Sequence, residues 1–404
     1  MFSLFRKERM WRSHQLRGNY DVVIVGAGVH GLSTAYHLGK LHGVRRVALL
    51  DRGYLGGGNS GRNTAILRSN YRTPEGIPFY DASVKLYEQM SGELGWNVLF
   101  TQCGHLTLAH SDAGIVGLRV RAENNQLLGV DSRLIDRAEI RRLVPVMDMS
   151  DRARYPILAA LYHPPGGVIR HDAVVWGYAR ACDRMGMEIH TQTEVTGIRR
   201  RGRKIESVIT NRGEIATETV LNCTAGWATT VSDMVSVPLP IVSHPLQACV
   251  TEPLKPFLNH VLVSATLHVY ASQTDKGELV IGAEIDPYQS YSTRATLPTL
   301  EQMATYTLEL FPQLHSIRVL RQWGGVCDMT PDFAPIIGCA EEVDRFYMNV
   351  GWGTYGFKAA PAAGKYTAEM IATGRTPAII APFTPSRFRT GKLLGEKASA
   401  AVSH

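Results

Sequence analysis

The chain has little cysteine for its 404 residues: six, at positions 103, 182, 223, 249, 327 and 339. None of them stands in a CxxC pair or at the spacing of metal ligands. A disulfide-rich secreted scaffold or a cysteine-based metal site would need such pairs. We therefore expect a reduced, cytoplasmic protein that holds no metal.

The first segment lacks the apolar core of a secretory signal or a membrane anchor. Met1 to Asn19 is basic, and arginines and a glutamate interrupt its apolar residues. A signal or a membrane span needs an unbroken apolar stretch. We expect no insertion into a membrane, and we interpret residues 1–19 as an arm that packs on a partner.

Charge is spread along the chain rather than concentrated. The formal net charge is +7 and the isoelectric point is about 9.1, but the basic residues are dispersed except for a run at 199–204. That run falls between strand-like segments, so it is typical of a solvated hairpin tip; a surface for an acidic partner subunit is the alternative. Nothing in the composition points to nucleic acid.

What the sequence does contain is a GxGxxG motif at Gly26, Gly28 and Gly31, directly after an apolar, β-branched run at 21–25. That run predicts a buried parallel strand. In this motif the first glycine permits a tight turn, the second lets the backbone approach a pyrophosphate, and the third lets the helix pack closely on the strand.

The residues after the motif strengthen this prediction. Residues 32–41 predict a helix whose N-terminus would face the phosphates, and a second apolar strand ends at Asp51. An acid at this place accepts hydrogen bonds from a ribose 2′-hydroxyl. The stretch predicts binding of FAD or NAD rather than NADP; a glycine-rich turn in an ordinary βαβ unit is the alternative.

A second glycine-rich loop, at 56–61, offers backbone and side-chain donors that could wrap phosphates and a flavin ring, or it is an ordinary surface loop.

Asp172 predicts the N-cap of a helix. The tail after Gly374 is expected to be extended. Local patterns predict the other elements: helices within 74–94, 113–143, 173–185, 299–311 and 358–371, and strands within 98–108, 187–190, 194–209, 218–222, 238–298, 335–338 and 347–350.

Five motifs together resemble the glycine-oxidase and sarcosine-oxidase family, and within it most specifically the β subunits of heterotetrameric sarcosine oxidases. The resemblance runs from Tyr20 to about Ile371, and its motifs are DVVIVGAGVHGLSTAYHL, GGGNSGRNTAILRSNY, GGVIRHDAVVWGYAR, VLNCTAGWA and VGWGTYGFKAAPAAGK. It implies the D-amino-acid-oxidase fold: an α/β protein with a Rossmann-type, glutathione-reductase-like FAD-binding domain and an inserted α+β substrate domain on a mainly antiparallel sheet.

The resemblance also implies a division of the chain. The FAD-binding domain would comprise residues 20–75, 150–232 and 324–375, and the substrate domain residues 76–149 and 233–323. An arm at 1–19 and a tail at 376–404 complete it. Non-covalent FAD would contact residues on several segments: Gly26, Gly28, Gly31, Asp51, Arg52, Asn59, Ser60, Arg62, Asn63, Thr64, Val195, Ala225, Gly226, Gly353, Gly356 and Lys358.

A second flavin follows from the same resemblance. Such β subunits are similar to complete amine oxidases and also carry FMN covalently on a histidine, which falls here on His171 in GGVIRHDAV. His163, beside Pro164, is the fallback. A neutral imidazole nitrogen can attack the 8α carbon of an oxidised flavin next to a helix N-terminus. Partner subunits α, γ and δ would complete the heterotetramer.

Arg68 and Lys358 align with the basic pair that holds the substrate carboxylate in related amine oxidases; surface salt bridges are the alternative for each. The chain also departs from its relatives. The segment Glu278 to Gly282 has no lysine to promote reaction with oxygen, and Lys276 lies in a turn-like DKG. The cysteine pattern of relatives that attach FAD covalently is missing as well.

The resemblance implies oxidation of sarcosine over FAD, transfer of electrons to FMN and then to oxygen, and release of hydrogen peroxide. The products would be glycine with formaldehyde, or with methylenetetrahydrofolate when a partner supplies folate. One alternative is a self-sufficient FAD enzyme for another secondary or D-amino acid, such as dimethylglycine or proline. A non-catalytic electron-relay subunit is the other, although a relay has no use for a carboxylate clamp.

Overall fold

The computed structural model describes residues 10–396. Its strands are, in chain order, β1 Val22–Val25, β2 Val47–Leu50, β3 Ile66–Leu67, β4 His105–Ala109, β5 Arg133–Ile135, β6 Ala159–His163, β7 Gly167–Val168, β8 Glu188–His190, β9 Val195–Arg201, β10 Lys204–Thr210, β11 Gly213–Ala216, β12 Val220–Asn222, β13 Val242–Pro253, β14 Val261–Ser264, β15 Val269–Gln273, β16 Glu278–Ile285, β17 Val319–Met329, β18 Ile336–Cys339 and β19 Phe346–Val350.

The α-helices of the same range are α1 Val29–His42, α2 Gly76–Leu94, α3 Asp112–Leu127, α4 Arg137–Leu143, α5 His171–Arg184, α6 Ala228–Asp233, α7 Leu297–Leu310, α8 Gly356–Thr373 and α9 Arg387–Thr390. Short 3-10 turns lie at Asn59–Gly61, Ala225–Trp227, Pro312–Leu314 and Ala381–Phe383.

The first large sheet has six strands in the order β18-β19-β12-β1-β2-β8. Its adjacent strands are parallel, except that β18 and β19 are antiparallel to each other. Both faces of β1 are buried. Val22 and Ile24 pack in the core with helices α1, α2, α5 and α8, while Val23 and Val25 pack on the three-stranded sheet β9–β11. Burial on both faces explains the unbroken apolar run that predicted this strand.

The second large sheet has eight strands in the order β17-β13-β16-β15-β14-β4-β6-β5. Only the β14–β4 pair is parallel. One face of this sheet holds a separate apolar core with α4 and α7, and the other face turns toward the first sheet. The predicted fold class, a Rossmann-type domain with a second domain on a mainly antiparallel sheet, is confirmed; the exact domain boundaries stay a prediction.

Several local predictions are corrected. Within 98–108 the strand forms only from His105, because residues 98–103 make irregular contacts with β7. Asp172 is not the N-cap of α5: the helix begins one residue earlier, and the Asp172 carboxylate accepts a hydrogen bond from the Ala173 amide inside the first turn. The hairpin predicted at 199–204 is confirmed, with its turn at Gly202.

The tail is not simply extended. Residues 377–390 form short helical turns, and the Arg387 guanidinium lies buried against Asp332 with an Nε–Oδ2 distance of 2.7 Å. In its described part the arm contacts its own chain, since Arg12 and Arg17 pair with Asp183 and Glu188; its packing on a partner stays a prediction. Residues 1–9 lie outside the described range. Among residues 10–396, no helix has both the length and the apolar character needed to cross a bilayer.

Candidate active site

One cavity of about 590 Å³ lies between the two large sheets. Its volume is in the usual range for cofactor and substrate sites. Most of the predicted site residues line it: Gly26, Gly28, Asp51, Arg52, Asn59, Ser60, Arg62, Asn63, Thr64, Arg68, Val195, Ala225, Gly353, Gly356 and Lys358. Gly31, Gly226 and His171 do not. The fold therefore brings together segments that are more than 300 residues apart in the chain.

The glycine motif has the close contacts that its spacing predicts. A Cβ on Gly26 would lie 2.5 Å from the Cys223 carbonyl oxygen, and one on Gly31 would lie 2.1 Å from the Gly26 carbonyl oxygen. Gly26 also has φ of +100°, which side chains disfavour. Gly31 thus serves helix packing and not the cavity wall, whereas Gly28 faces the cavity at the start of α1. These features fit a pyrophosphate at the helix N-terminus.

Asp51 closes this end of the cavity at the tip of β2. Its Oδ2 accepts a hydrogen bond from the Ala27 amide at 3.1 Å, and its Oδ1 accepts one from the Gly53 amide at 2.9 Å. Burial raises the pKa of Asp51 above its usual value, and the two amide donors oppose that rise. A fixed carboxylate beside the glycine turn suits a ribose hydroxyl.

The second glycine-rich loop is tied to the rest of the site by its own side chains. Ser60 Oγ accepts a hydrogen bond from the Val29 amide at 2.9 Å. Asn59 exchanges two hydrogen bonds with the backbone of Val326, at 2.6 and 3.0 Å. Arg62 donates to the Gly57 and Gly324 carbonyl oxygens. These predicted cofactor residues therefore also act as the scaffold that holds the loop over the cavity.

An aromatic stack borders the cavity beside Asp51. The Arg52 guanidinium lies 3.9 Å above the Trp227 ring, and the Trp227 and Tyr291 rings stack with their centroids 5.7 Å apart. Trp227 and Tyr291 both line the cavity. Tyr291 belongs to the segment between β16 of the eight-stranded sheet and α7. The stack therefore connects the parts of the chain around the two large sheets at this end of the cavity.

The opposite end of the cavity is cationic. Arg68 is 1 % exposed, and its Nη1 donates to the Asn70 side-chain oxygen at 3.0 Å. Lys358 lies in the first turn of α8. Burial and the charge of Arg68 together hold the pKa of Lys358 well below its ordinary value. Two basic groups that line one cavity can bind a carboxylate, which would in turn favour the charged form of the lysine.

Two residues outside the predicted set position the loop that leads to Lys358. The His30 ring stacks on Trp352 at 4.4 Å, and its Nε2–H donates to the Gly356 carbonyl at 2.9 Å. Asp328 accepts a hydrogen bond from the Gly351 amide at 2.6 Å, and burial raises its pKa to about 6. In the sequence, the position of His30 as a polar residue inside GxGxxG could have marked it as a site residue. No pattern around Asp328 could have done the same.

His171 lies behind the second glycine-rich loop and outside the cavity. It is partly buried at the N-terminus of α5, and its Nε2 lies 3.2 Å from the Gly61 carbonyl oxygen. Burial lowers its pKa, so the ring is neutral near neutral pH. By contrast, His163 is fully buried: its Nε2 accepts from the Ser69 amide at 3.2 Å, and its Nδ1 donates to the Asp131 carbonyl at 2.6 Å.

Comparison with known proteins agrees with these features. The model of the family "FAD dependent oxidoreductase" matches residues 21–370. The chain is 43 % identical to the sarcosine oxidase subunit beta of Rhodobacter capsulatus, over 98 % of this chain and 95 % of that protein. It is 44 % identical to the protein of the same name from Rhizobium meliloti, over 97 % and 94 %. The crystal structure of L-proline dehydrogenase from P. horikoshii superposes with a TM-score of 0.87, at 28 % identity over 94 % of this chain and all of that one.

Proposed function

This chain belongs to the FAD dependent oxidoreductases, within the family of sarcosine oxidase β subunits, and we propose that it oxidises sarcosine. One observation carries the proposal: a dinucleotide fingerprint and a pair of basic side chains, Arg68 and Lys358, line the same cavity. The products would be glycine and formaldehyde, or methylenetetrahydrofolate when a partner supplies folate, with hydrogen peroxide from oxygen.

The residues of the cavity fit FAD. The Gly26 and Gly31 contacts leave no room for side chains, the N-terminus of α1 opens at Gly28, and Asp51 stands at the ribose end. When bound, FAD would supply the hydride acceptor, and covalent FMN the route to oxygen. The contribution of the protein is to hold both groups, orient the substrate and exclude water.

Arg68 and Lys358 would bind the substrate carboxylate and so fix the position of the amine. The Arg68 guanidinium and the protonated Lys358 are donors only, as a carboxylate requires. Because Arg68 is held by Asn70 and the backbone of Lys358 by the first turn of α8, the base of each side chain is fixed before the substrate arrives. Such preorganisation reduces the entropy lost when the reacting groups meet.

The test is anaerobic reduction of the flavin in the purified protein by sarcosine, dimethylglycine and proline. We expect sarcosine to reduce the flavin fastest at low concentration. Proline is the second candidate substrate, because the chain superposes well on an L-proline dehydrogenase. Reduction by proline and not by sarcosine would replace the first proposal with the second, and reduction by none of the three would favour an electron-relay subunit.

Covalent FMN on His171 is a further part of the proposal. The support is threefold: the residue stands at the N-terminus of the 14-residue helix α5, its ring is neutral, and it contacts the loop that lines the FAD cavity. Since Nε2–H donates to Gly61, the Nδ1 lone pair is the one available for attachment. His163 is the weaker candidate because both of its nitrogens are engaged.

Flavin analysis tests the two cofactors together. We expect acid to release one flavin and leave a second on the protein, and peptide mass mapping should find that second flavin on His171. An unmodified His171 peptide from a fully active preparation would contradict the assignment. Size-exclusion chromatography of the native complex should show further subunits, as proposed for a cytoplasmic heterotetramer with α, γ and δ chains; a fully active monomer would contradict it.

A further inference from the structure

His105 is a buried polar residue at the cavity that the proposed clamp does not use. It lies on β4, is fully buried, and lines the cavity together with Arg68 and Lys358. Within residues 10–396 neither of its ring nitrogens has a hydrogen-bond partner. Unpaired buried polar groups are rare in native proteins, so a histidine with two such atoms calls for an explanation.

The sheet aims His105 at the cavity. Side chains alternate along a strand, and Leu106 and Leu108 of β4 pack in the core on the far face of the eight-stranded sheet. His105 therefore points the other way. Val263, on the neighbouring strand β14, and Ile66 form an apolar wall on this side, and both line the cavity.

The chemistry of the cationic end leaves one substrate group without a partner. A carboxylate only accepts hydrogen bonds, so the donors Arg68 and Lys358 satisfy it. An amino group of the substrate donates through N–H and needs an acceptor. A neutral imidazole offers one acceptor and one donor. Burial and the neighbouring cations Arg68, Arg121 and Lys358 lower the pKa of His105 well below its usual value, which keeps the ring neutral.

We propose that His105 binds the amino group of the substrate, accepting a hydrogen bond from its N–H while Arg68 and Lys358 hold the carboxylate. This inference rests on the proposed function, and extends it to the class of substrate: an amino acid with at least one N–H on its neutral amine. The nitrogen lone pair then points away from the ring of His105. His105 thus sets the orientation in which the amine is presented.

The experiment compares two ligands that differ only at the nitrogen. Sarcosine carries an N–H donor, and methoxyacetate has the same shape with an ether oxygen in its place. Binding to the FAD-loaded protein is measured from the change in flavin absorbance, and for sarcosine from anaerobic reduction at varied concentration. FAD content and thermal midpoint are recorded for each variant, so that loss of structure is separated from loss of ligand.

We expect His105→Leu to weaken sarcosine binding roughly five- to tenfold, the size of one neutral hydrogen bond, and to leave methoxyacetate within twofold. His105→Asn, which restores an acceptor, should recover part of the loss. Thr107→Val is the matched control: Thr107 is buried on the same face of β4, two residues away, but does not line the cavity. It should leave both ligands unchanged.

Equal loss of both ligands in His105→Leu would overturn the proposal, because His105 would then merely shape the wall or the clamp. Loss of neither would also overturn it. If the leucine variant does not retain FAD, His105→Phe provides a second apolar side chain for the comparison. If wild-type protein does not bind sarcosine, the proposed function fails, and proline against tetrahydrofuran-2-carboxylate, which differ in the same way, still tests His105.

Discussion

Replacing Lys358 with methionine tests the carboxylate clamp most directly. Methionine keeps much of the length of the side chain and removes its charge. A hydrogen bond to a charged group contributes roughly 1.5–3 kcal/mol, so binding of sarcosine should weaken by about ten- to a hundredfold. Lys365→Met, two turns further along α8 and away from the cavity, is the control and should bind normally.

Because the pKa of Lys358 is lowered, the affinity for a carboxylate should depend on pH. A bound carboxylate favours the protonated lysine, so its pKa rises in the complex and binding takes up a proton. Affinity is therefore greatest below the pKa of the lysine in the unliganded protein, and it falls as pH rises through that value. Methoxyacetate is the suitable ligand because it has no amine that titrates.

The assay is titration of the flavin absorbance with methoxyacetate from mildly acidic to alkaline pH, in wild type and Lys358→Met. The fall in affinity with rising pH should be present in wild type and absent in the variant. Sarcosinamide, which lacks the carboxylate, should lose much less affinity than sarcosine. A variant that binds methoxyacetate as wild type does, or a wild-type affinity that is flat with pH, would refute the clamp.

Two further pairs of substitutions test other parts of the fold and site. Gly31→Ala places a Cβ 2.1 Å from the Gly26 carbonyl oxygen and should abolish FAD retention and lower the thermal midpoint, whereas Gly28→Ala, whose Cβ would meet only Ser60 Oγ at 3.0 Å, should reduce FAD affinity without loss of folding; equal FAD content in both variants and wild type would contradict the fingerprint. Arg387→Met leaves Asp332 buried and unpaired and should cost about 3–5 kcal/mol of unfolding free energy, measured by denaturant titration. Arg389→Met, which breaks an exposed pair with Glu341, should cost at most about 1 kcal/mol; similar losses in both would contradict the role of burial.

Local sequence patterns were sufficient to predict the first βαβ unit. An apolar run, three glycines at fixed spacing and an acid about twenty residues later each restrict the backbone near their own position. The strand, the turn and the end of β2 at Asp51 could therefore be predicted to within a residue, whereas α1 begins at Val29, three residues before the predicted start at Leu32. The fold class was also accessible, because sheet and helix patterns repeat along the chain and five motifs resemble one family.

Positions that depend on distant neighbours could not be predicted in this way. The Asp172 cap was wrong: α5 begins at His171, which contacts Gly61 of the second glycine-rich loop, and its N-cap is Arg170. The extended tail was wrong because Arg387 pairs with Asp332, 55 residues earlier in the chain. His30 and Asp328 acquire their roles only when α1, β17 and the loop before α8 meet.

The sequence by itself was enough to predict a dinucleotide cofactor and the position of the glycine turn, since both are written in a contiguous motif, and the resemblance to one family pointed to Arg68 and Lys358. Only the tertiary structure decided that Arg68, from the loop after β3, and Lys358, from α8, share one cavity. It also decided that His105 faces this cavity with two ring nitrogens that have no hydrogen-bond partner among residues 10–396. The physical reason is that burial and charge act through space: the low pKa of Lys358 comes from desolvation and from a guanidinium 290 residues away in the chain.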